Sequence, residues 1–538
     1  MATRATLLAL CLLAAAQPLY AQMDMSEHAG RPPAHLGRVS FPTSCTPAAA
    51  AAVERGVALL HSFWYEEAGK VFREAAADDS GCAMAYWGAA TSLLHPLWQP
   101  PTAQDLADGS AFTARARAAQ PPTPREREYV EAIGAFYDDS GRSFLERLRA
   151  WREGFARLHQ AEPADTEASI FYALTLIAVA YASPTDTTYA LQRQAGEILD
   201  PLFETQPNHP GLAHYLIHAY DFPPLAARAV RAADRYASIA PSVPHARHMP
   251  SHIYTRLGMW DASIASNVSS VAASLRYETE QHLHVVWDQR LHAMDYLAYA
   301  YLQEGRDAAA RSLAAAAGRM HAFVPANSVA AAYALAAIPA RYALERGRWR
   351  DAAALTVRAD LKEPAALAIT HFARAVGAAR SGDTATARVA LASLTAIDDD
   401  LTQRRVPIWA PTVHAQQLAA SAWLAIAVGD TSGAVSLAAQ AADLEEATAK
   451  HPVTPGAILP ARELQGDLLL LVGRPSDALA AYQASLARAP RRARSLEGAV
   501  RAARAAGDRS AEQAFRRQLH ALLRRADAAR LRSVASRS

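Results

Sequence analysis

One figure recurs seven times in the second half of the chain: a glycine, a short polar or aromatic run, then alanines at helical spacing. It appears as LGMWDASIAS at Gly258, EGRDAAARSL at Gly305, RGRWRDAAAL at Gly347 and SGDTATARVAL at Gly382. It continues as VGDTSGAVSLAAQA at Gly429, VGRPSDALAAYQASLARAP at Gly473 and AGDRSAEQAF at Gly507. The intervals run from 34 residues (Gly473 to Gly507) to 47 (Gly258 to Gly305), the range of units built from two helices. Glycine supplies the left-handed residue that ends a first helix, and small alanines let the second pack closely against it. No stretch shows the period-two, β-branched alternation of strands. Such a chain is expected to be all-α, a solenoid of about twelve helix pairs.

The first half follows the scheme less regularly. RGVALLHSFWYEEAGKVFREAAADDSGCAMAYWGAATSLL (55–94) gives a helix pair and the start of the next, with Gly56, Ala68 and Phe72 in repeat-like places. Prolines in HPLWQPP (95–101) and QPPTPRERE (120–128) mark loops. Helices resume through FLERLRAWREGFARL, TEASIFYALTLIAVAYA and ALQRQAGEILDPLFET. The expected organisation is an extended segment over 22–46, an irregular array over 47–360, a more regular one over 361–527 and a flexible basic tail over 528–538. LKEPAAL, near residue 360, is where the pattern is interrupted.

Residues 1–21, MATRATLLALCLLAAAQPLYA, carry one arginine, then an apolar run and a small residue at a plausible cleavage point. They read as a secretory signal peptide, and no later stretch is apolar enough to span a membrane. The mature chain is therefore expected to be exported, periplasmic or secreted. With Cys11 removed, Cys45 and Cys82 remain, and an oxidising compartment favours a disulfide between them over metal ligation. The formal net charge of +2 implies no nucleic-acid partner. The arginines from Arg488 onward alternate with alanine and leucine, as on the solvated face of terminal helices.

The chain resembles a largely uncharacterised bacterial family of exported tetratricopeptide-repeat proteins. The likeness lies in LLHSFWYEEA (59–68), CAMAYWG (82–88), HPLW (95–98), HPGLAHYLIHAYD (209–221), PHARHMPSHIYTRLGMW (244–260), HAMDYLAYAYLQ (292–303) and TPGAILPARELQGDLLL (454–470). The unit at Gly473, with Tyr482 and Pro490, is similar to the repeat's consensus. The resemblance implies a right-handed superhelical solenoid and no established reaction.

The chemistry-bearing residues gather in the middle of the chain. In HPGLAHYLIH, Pro210 suits the first position of a helix with His209 at its cap. His214 and His218 then share one face a turn apart, a chelating spacing for zinc. In the second cluster, Pro250 is expected to start its own helix and force Met249 out of the helical region. That leaves His252 helical and puts His245 and His248 in the approach loop. His282, His284, Asp288, His292 and Asp295 follow in the next unit.

Two roles compete for these residues. As first helices of successive units, the three segments would line one concave groove. The leading expectation is a binding scaffold whose groove takes a peptide, protein or small ligand, lined by His209, Tyr215, Tyr254, Asp288, His292, Asp295 and Glu463. The rival is a metal-dependent protein or enzyme holding zinc or copper on His214, His218, His245, His248 and His252. Buried histidines hydrogen-bonded to tyrosines and to Asp221 or Asp295 would also brace an inner face without any metal. Glu463 is most simply paired with Arg462. There is no HExxH, no nucleophile motif and no phosphate loop.

Overall fold

Prolines open many of the helices. Pro47, Pro124, Pro210, Pro244, Pro250, Pro364 and Pro475 each occupy a first position, where a missing N–H breaks no helical bond. Glycines end them. All seven repeat glycines have φ between +62° and +91°. After each, the next N–H reaches the carbonyl five residues back, as from Met259 to Tyr254 (2.7 Å) and from Arg474 to Leu469 (2.9 Å). This is the Schellman closure, which satisfies carbonyls at the helix end while turning the chain into the second helix.

The computed structural model describes residues 35–183 and 186–535. The expected signal peptide, and with it Cys11, lies outside the described residues. Within them the chain is an all-α, tetratricopeptide-like array of twelve helix pairs, from Pro47–His61 with Tyr65–Asp78 to Ala493–Ala505 with Arg509–Leu522, followed by Ala528–Ala535. The strands described are two residues each, Val286–Trp287 and Phe323–Val324, paired in parallel. No described helix is long and apolar enough to cross a membrane.

One packing device marks both ends of the array. Phe72 lies between Gly56 and Gly88, where an added Cβ would come within 2.6 and 2.1 Å of its ring. Tyr482 lies between Gly466 and Gly498 in the same way, at 2.9 and 2.2 Å. In both cases each glycine is sixteen residues from the aromatic. A large ring on a second helix thus fills the space left by glycines on the first helices before and after it. Cys45 and Cys82 form the expected disulfide, tying the segment before the first helix to the cap of the third.

The array closes on itself. Trp260 Nε1 donates to the Arg491 carbonyl (3.0 Å), the Ala493 N–H to Gln303 Oε1 (3.0 Å), and the Asp527 N–H to the Gly305 carbonyl (3.0 Å). Segment 448–460, TAKHPVTPGAILP, crosses the inner side between helices Thr431–Ala447 and Ala461–Leu471. The buried apolar side chains group into one cluster drawn mainly from residues up to Tyr254 and another drawn from Trp260 onward. Two expectations change. The tail expected to be flexible forms helix Ala528–Ala535, with Arg530 buried against Glu497. Pro250 opens its own helix as expected, but Met249 before it keeps helical dihedrals, φ −54° and ψ −35°, so the two short helices follow one another without an extended residue between them.

Candidate metal centre

Six histidines come together from three consecutive first helices. His214 and His218 stand one turn apart on Pro210–Tyr220, which His209 caps by accepting from the Leu212 N–H (3.3 Å). Because Met249 is helical, Pro244–His248 and Pro250–Arg256 present His245, His248 and His252 at near-helical spacing. His292 comes from Asp288–Gln303. They form two sets, His214–His218–His245 and His248–His252–His292, each with one nitrogen per residue within 4.8 Å of the others. All six are at most 3% exposed. The sets adjoin, with ring centroids 5.9 Å apart for His218–His252 and 6.0 Å for His245–His248.

Outer hydrogen bonds fix which nitrogen faces inward. His214 Nδ1 lies 2.6 Å from the His61 carbonyl, an acceptor only, so Nδ1 carries the proton. His245 donates from Nδ1 to Gln289 Oε1 (3.1 Å), and the Gln289 amide nitrogen donates to Asp288 (3.3 Å). His248 donates from Nδ1 to Asn267 Oδ1 (2.7 Å), whose Nδ2 donates to the Ser263 carbonyl. His252 donates from Nδ1 to Asp221 Oδ2 (2.9 Å). Each of these four rings, when neutral, therefore turns a bare Nε2 lone pair inward.

Those lone pairs meet. Nε2 of His248 and His252 are 3.0 Å apart, and Nε2 of His214 and His245 are 3.2 Å apart. His218 Nε2 joins His214 Nε2 at 3.1 Å. Two imidazole nitrogens on one metal ion, with bonds of about 2.0–2.1 Å, stand about 3.0–3.4 Å apart. Burial, reinforced by neighbouring imidazoles, holds His214, His218, His245, His248 and His292 well below the usual 6.5. Burial likewise lowers His252 to about 4, against the pull of Asp221. Neutral rings with facing lone pairs repel one another, and a cation between them reverses the sign. Two further nitrogens, His218 Nδ1 and His292 Nδ1, are buried without a hydrogen-bond partner.

Aromatic rings wall the cluster. Phe63 lies 4.3, 5.5 and 5.8 Å from His214, His218 and His245. It takes a left-handed φ of +53° to do so, a conformation that costs a non-glycine residue about 1–3 kcal/mol. Trp98 stands 5.4 Å from His245 and 6.4 Å from His292, spanning both sets. Tyr296 covers the second set at 4.7, 4.8 and 5.3 Å. Beneath His252, Asp221 also pairs with Arg256 (2.8 Å) and Lys450 (2.6 Å). Burial alone would raise Asp221, but Lys450 and Arg256 hold it well below the carboxylate range. The 448–460 segment is pinned here: Tyr296 donates to the Thr454 carbonyl (2.9 Å), and Arg341 to Gly456 (2.9 Å) and Ala457 (2.8 Å).

The residues expected along a groove are buried instead. His209 and His61 both bond Glu167 (2.8 Å each), and Tyr215 shares a hydrogen bond with His61 Nδ1 (3.0 Å). Each nitrogen in this trio that faces Glu167 is satisfied by a carboxylate oxygen, so it braces the interior as the sequence allows. Tyr254 donates to Asp234 (2.7 Å). Asp288 accepts from Ser328 (2.8 Å), and Asp295 pairs with buried Arg341 (2.8 Å). Glu463 pairs with Arg492 (2.7 Å) and Arg494, not Arg462, which instead holds Glu446 and Asp443. His245 and His248 are helical rather than in a loop. His292, expected in the groove, completes the second set, while His282 and His284 are exposed.

Asn267, Gln289, His61, Phe63 and Lys450 escape a reading of motifs, because their partners lie up to 229 residues away. Lys450 alone left a trace, as one of three lysines in a chain whose basic residues are otherwise arginine. A scan against family models finds no match, and no curated protein sequence matches. Among solved structures, the chain is similar to the human IFIT1 dimer with PPP-AAAA at 12% identity, covering 89% of this chain and 91% of that one, with a TM-score of 0.35. It is also similar to yeast Tom70 at 10% identity, covering 91% and 95%, with a TM-score of 0.34. At these TM-scores, what those proteins bind says nothing about this chain.

Proposed function

We propose that the protein is a metalloprotein whose repeat array holds two transition-metal ions, one in each three-histidine set. The observation that carries this reading is the pair of facing lone pairs at His248–His252 and His214–His245, each fixed by an outer acceptor. Protein–protein hydrogen bonding does not account for two acceptors aimed at each other at 3.0 and 3.2 Å. Neutral imidazoles suit zinc and copper, and the outer acceptors orient the ligands as such partners do in metal sites. The disulfide suits an exported chain, in keeping with the tetratricopeptide family it resembles.

A scaffold for a peptide, protein or small ligand is the second reading. It is favoured by a cleft of about 140 Å³ on the far side of segment 448–460, lined by Tyr299, Tyr333, Trp409, Gln416, Lys450 and Arg488. In that cleft Gln416 Oε1 is buried without a partner.

Metal analysis of protein purified without a polyhistidine tag separates the two. Two equivalents of zinc or copper per chain are expected. A His248→Ala, His252→Ala variant and a His214→Ala, His218→Ala variant should each retain one, with helicity unchanged. Wild-type protein that holds no metal and binds none on titration would remove the metalloprotein reading and leave the scaffold.

A further inference from the structure

The two sets are not independent pockets that happen to share a core. Their inter-set ring distances, 5.9 and 6.0 Å, are close to the distances within a set, which run from 4.2 Å (His248–His292) to 6.0 Å (His252–His292). One short stretch, 244–252, supplies ligands to both, with His245 on one side and His248 and His252 on the other. Trp98 stands against one ligand of each. The donor groups of the two sets are histidine only. The nearest carboxylate, Asp221, is turned outward onto His252 Nδ1 and neutralised by Lys450 and Arg256. Among the described residues no carboxylate or thiolate is shared by the two sets, so a bridging ligand would be a small exogenous molecule.

Charge selects the ions. Two divalent ions among six neutral imidazoles would bury four positive charges in an aromatic-walled interior, a large desolvation cost with no anionic ligand to offset it. Two Cu(I) ions bury only two. A site of this kind favours a reaction that keeps the buried charge constant.

Resting on the paired-metal reading, we infer that the two histidine sets form one coupled copper centre that takes up dioxygen between its ions. Each Cu(I) gives one electron to the incoming molecule. Dioxygen becomes peroxide, its oxygen–oxygen bond order falling from two to one, and both coppers become Cu(II). No proton enters and nothing leaves. The centre carries two net positive charges before and after, and release of dioxygen is the same transfer in reverse. Phe63, Trp98 and Tyr296 keep bulk water from the interior, and a neutral diatomic molecule enters it without a desolvation cost comparable to that of an ion.

The test uses full-length protein stripped of metal and loaded anaerobically with Cu(I). Bound copper is counted first, and air-saturated buffer is then added. The expected result is two coppers per chain, uptake of one dioxygen per chain, an intense near-ultraviolet charge-transfer band, and little or no Cu(II) paramagnetic signal because the two spins are coupled. Two bound coppers with no dioxygen uptake, or with a Cu(II) signal accounting for every ion, would overturn the coupled centre and leave the paired-metal reading standing. Failure to bind two ions of any kind would overturn both. A His292→Ala variant that keeps its helical content should bind one copper and lose the one-dioxygen stoichiometry. Retention of that stoichiometry would also overturn the coupling.

Discussion

Asn267 makes two hydrogen bonds that leave it one orientation: Nδ2 donates to the Ser263 carbonyl (2.7 Å), and Oδ1 accepts from His248 Nδ1 (2.7 Å). It thereby decides that His248 turns Nε2 toward His252. Asn267→Leu, close in size and without an acceptor, should weaken one of the two ions by about 10–100-fold and leave the other unchanged. Chelator competition reads this directly, and equal affinity for both ions in the variant would show that the acceptor does not matter. At this scale the sequence was half legible. His214 and His218 announce themselves by a spacing of four, because a helix converts that spacing into a shared face. His245 and His292 do not, since each joins its set across helices. The acceptors behind the rings are less legible still: a lone asparagine or glutamine on a helix has no pattern until a neighbour stands beside it.

Helix pairs carry their own signals, and here the sequence spoke clearly. Every glycine of the repeat figure turned out to hold a positive φ, because no other residue closes a Schellman turn so cheaply. The glycines nevertheless differ in what surrounds them. At Gly382 an added Cβ would meet nothing within 4 Å, whereas at Gly258 it would come within 2.3 Å of the Pro490 carbonyl oxygen. Gly382→Ala should therefore cost only the left-handed backbone, about 1–2 kcal/mol. Gly258→Ala should cost more, because it also pushes the C-terminal pairs away. Urea unfolding of the two variants measures the difference, and equal losses would mean that the contact at Pro490 carries no load. What stayed illegible was the 448–460 segment. Its second half, TPGAILP, stands out only as part of a motif of resemblance, and it has no helical period; its partners (Asp221, Tyr296 and Arg341) show that it is part of the interior.

In the C-terminal half, buried ion pairs join helices of different pairs. Asp467 receives Arg380 (3.0 Å), Arg494, Arg501 (3.2 Å) and the Tyr482 hydroxyl (2.6 Å). Burial alone would raise its pKa, but the arginines hold it below its ordinary 3.8. With the folded value below the unfolded one, its stabilisation is complete above pH 3.8 and is lost as the pH falls further. Asp467→Asn should lower stability by about 3–5 kcal/mol at neutral pH. Denaturation midpoints measured against pH should then converge with wild type below pH 3.8; parallel curves would show that the carboxylate is not the titrating group. The closed form also imposes an order in time. All six histidines lie between residues 214 and 292, whereas Lys450, which helps seal the second set, follows Tyr296 by 154 residues. As the chain emerges from its N-terminus, a complete set of ligands exists well before the segment that will cover them. On the paired-metal reading, delivery of the ions is easiest in that interval. Once the late segment has docked, exchange at the second set on the same reading requires that segment to move, so ions enter and leave the finished protein more slowly than they do the open chain.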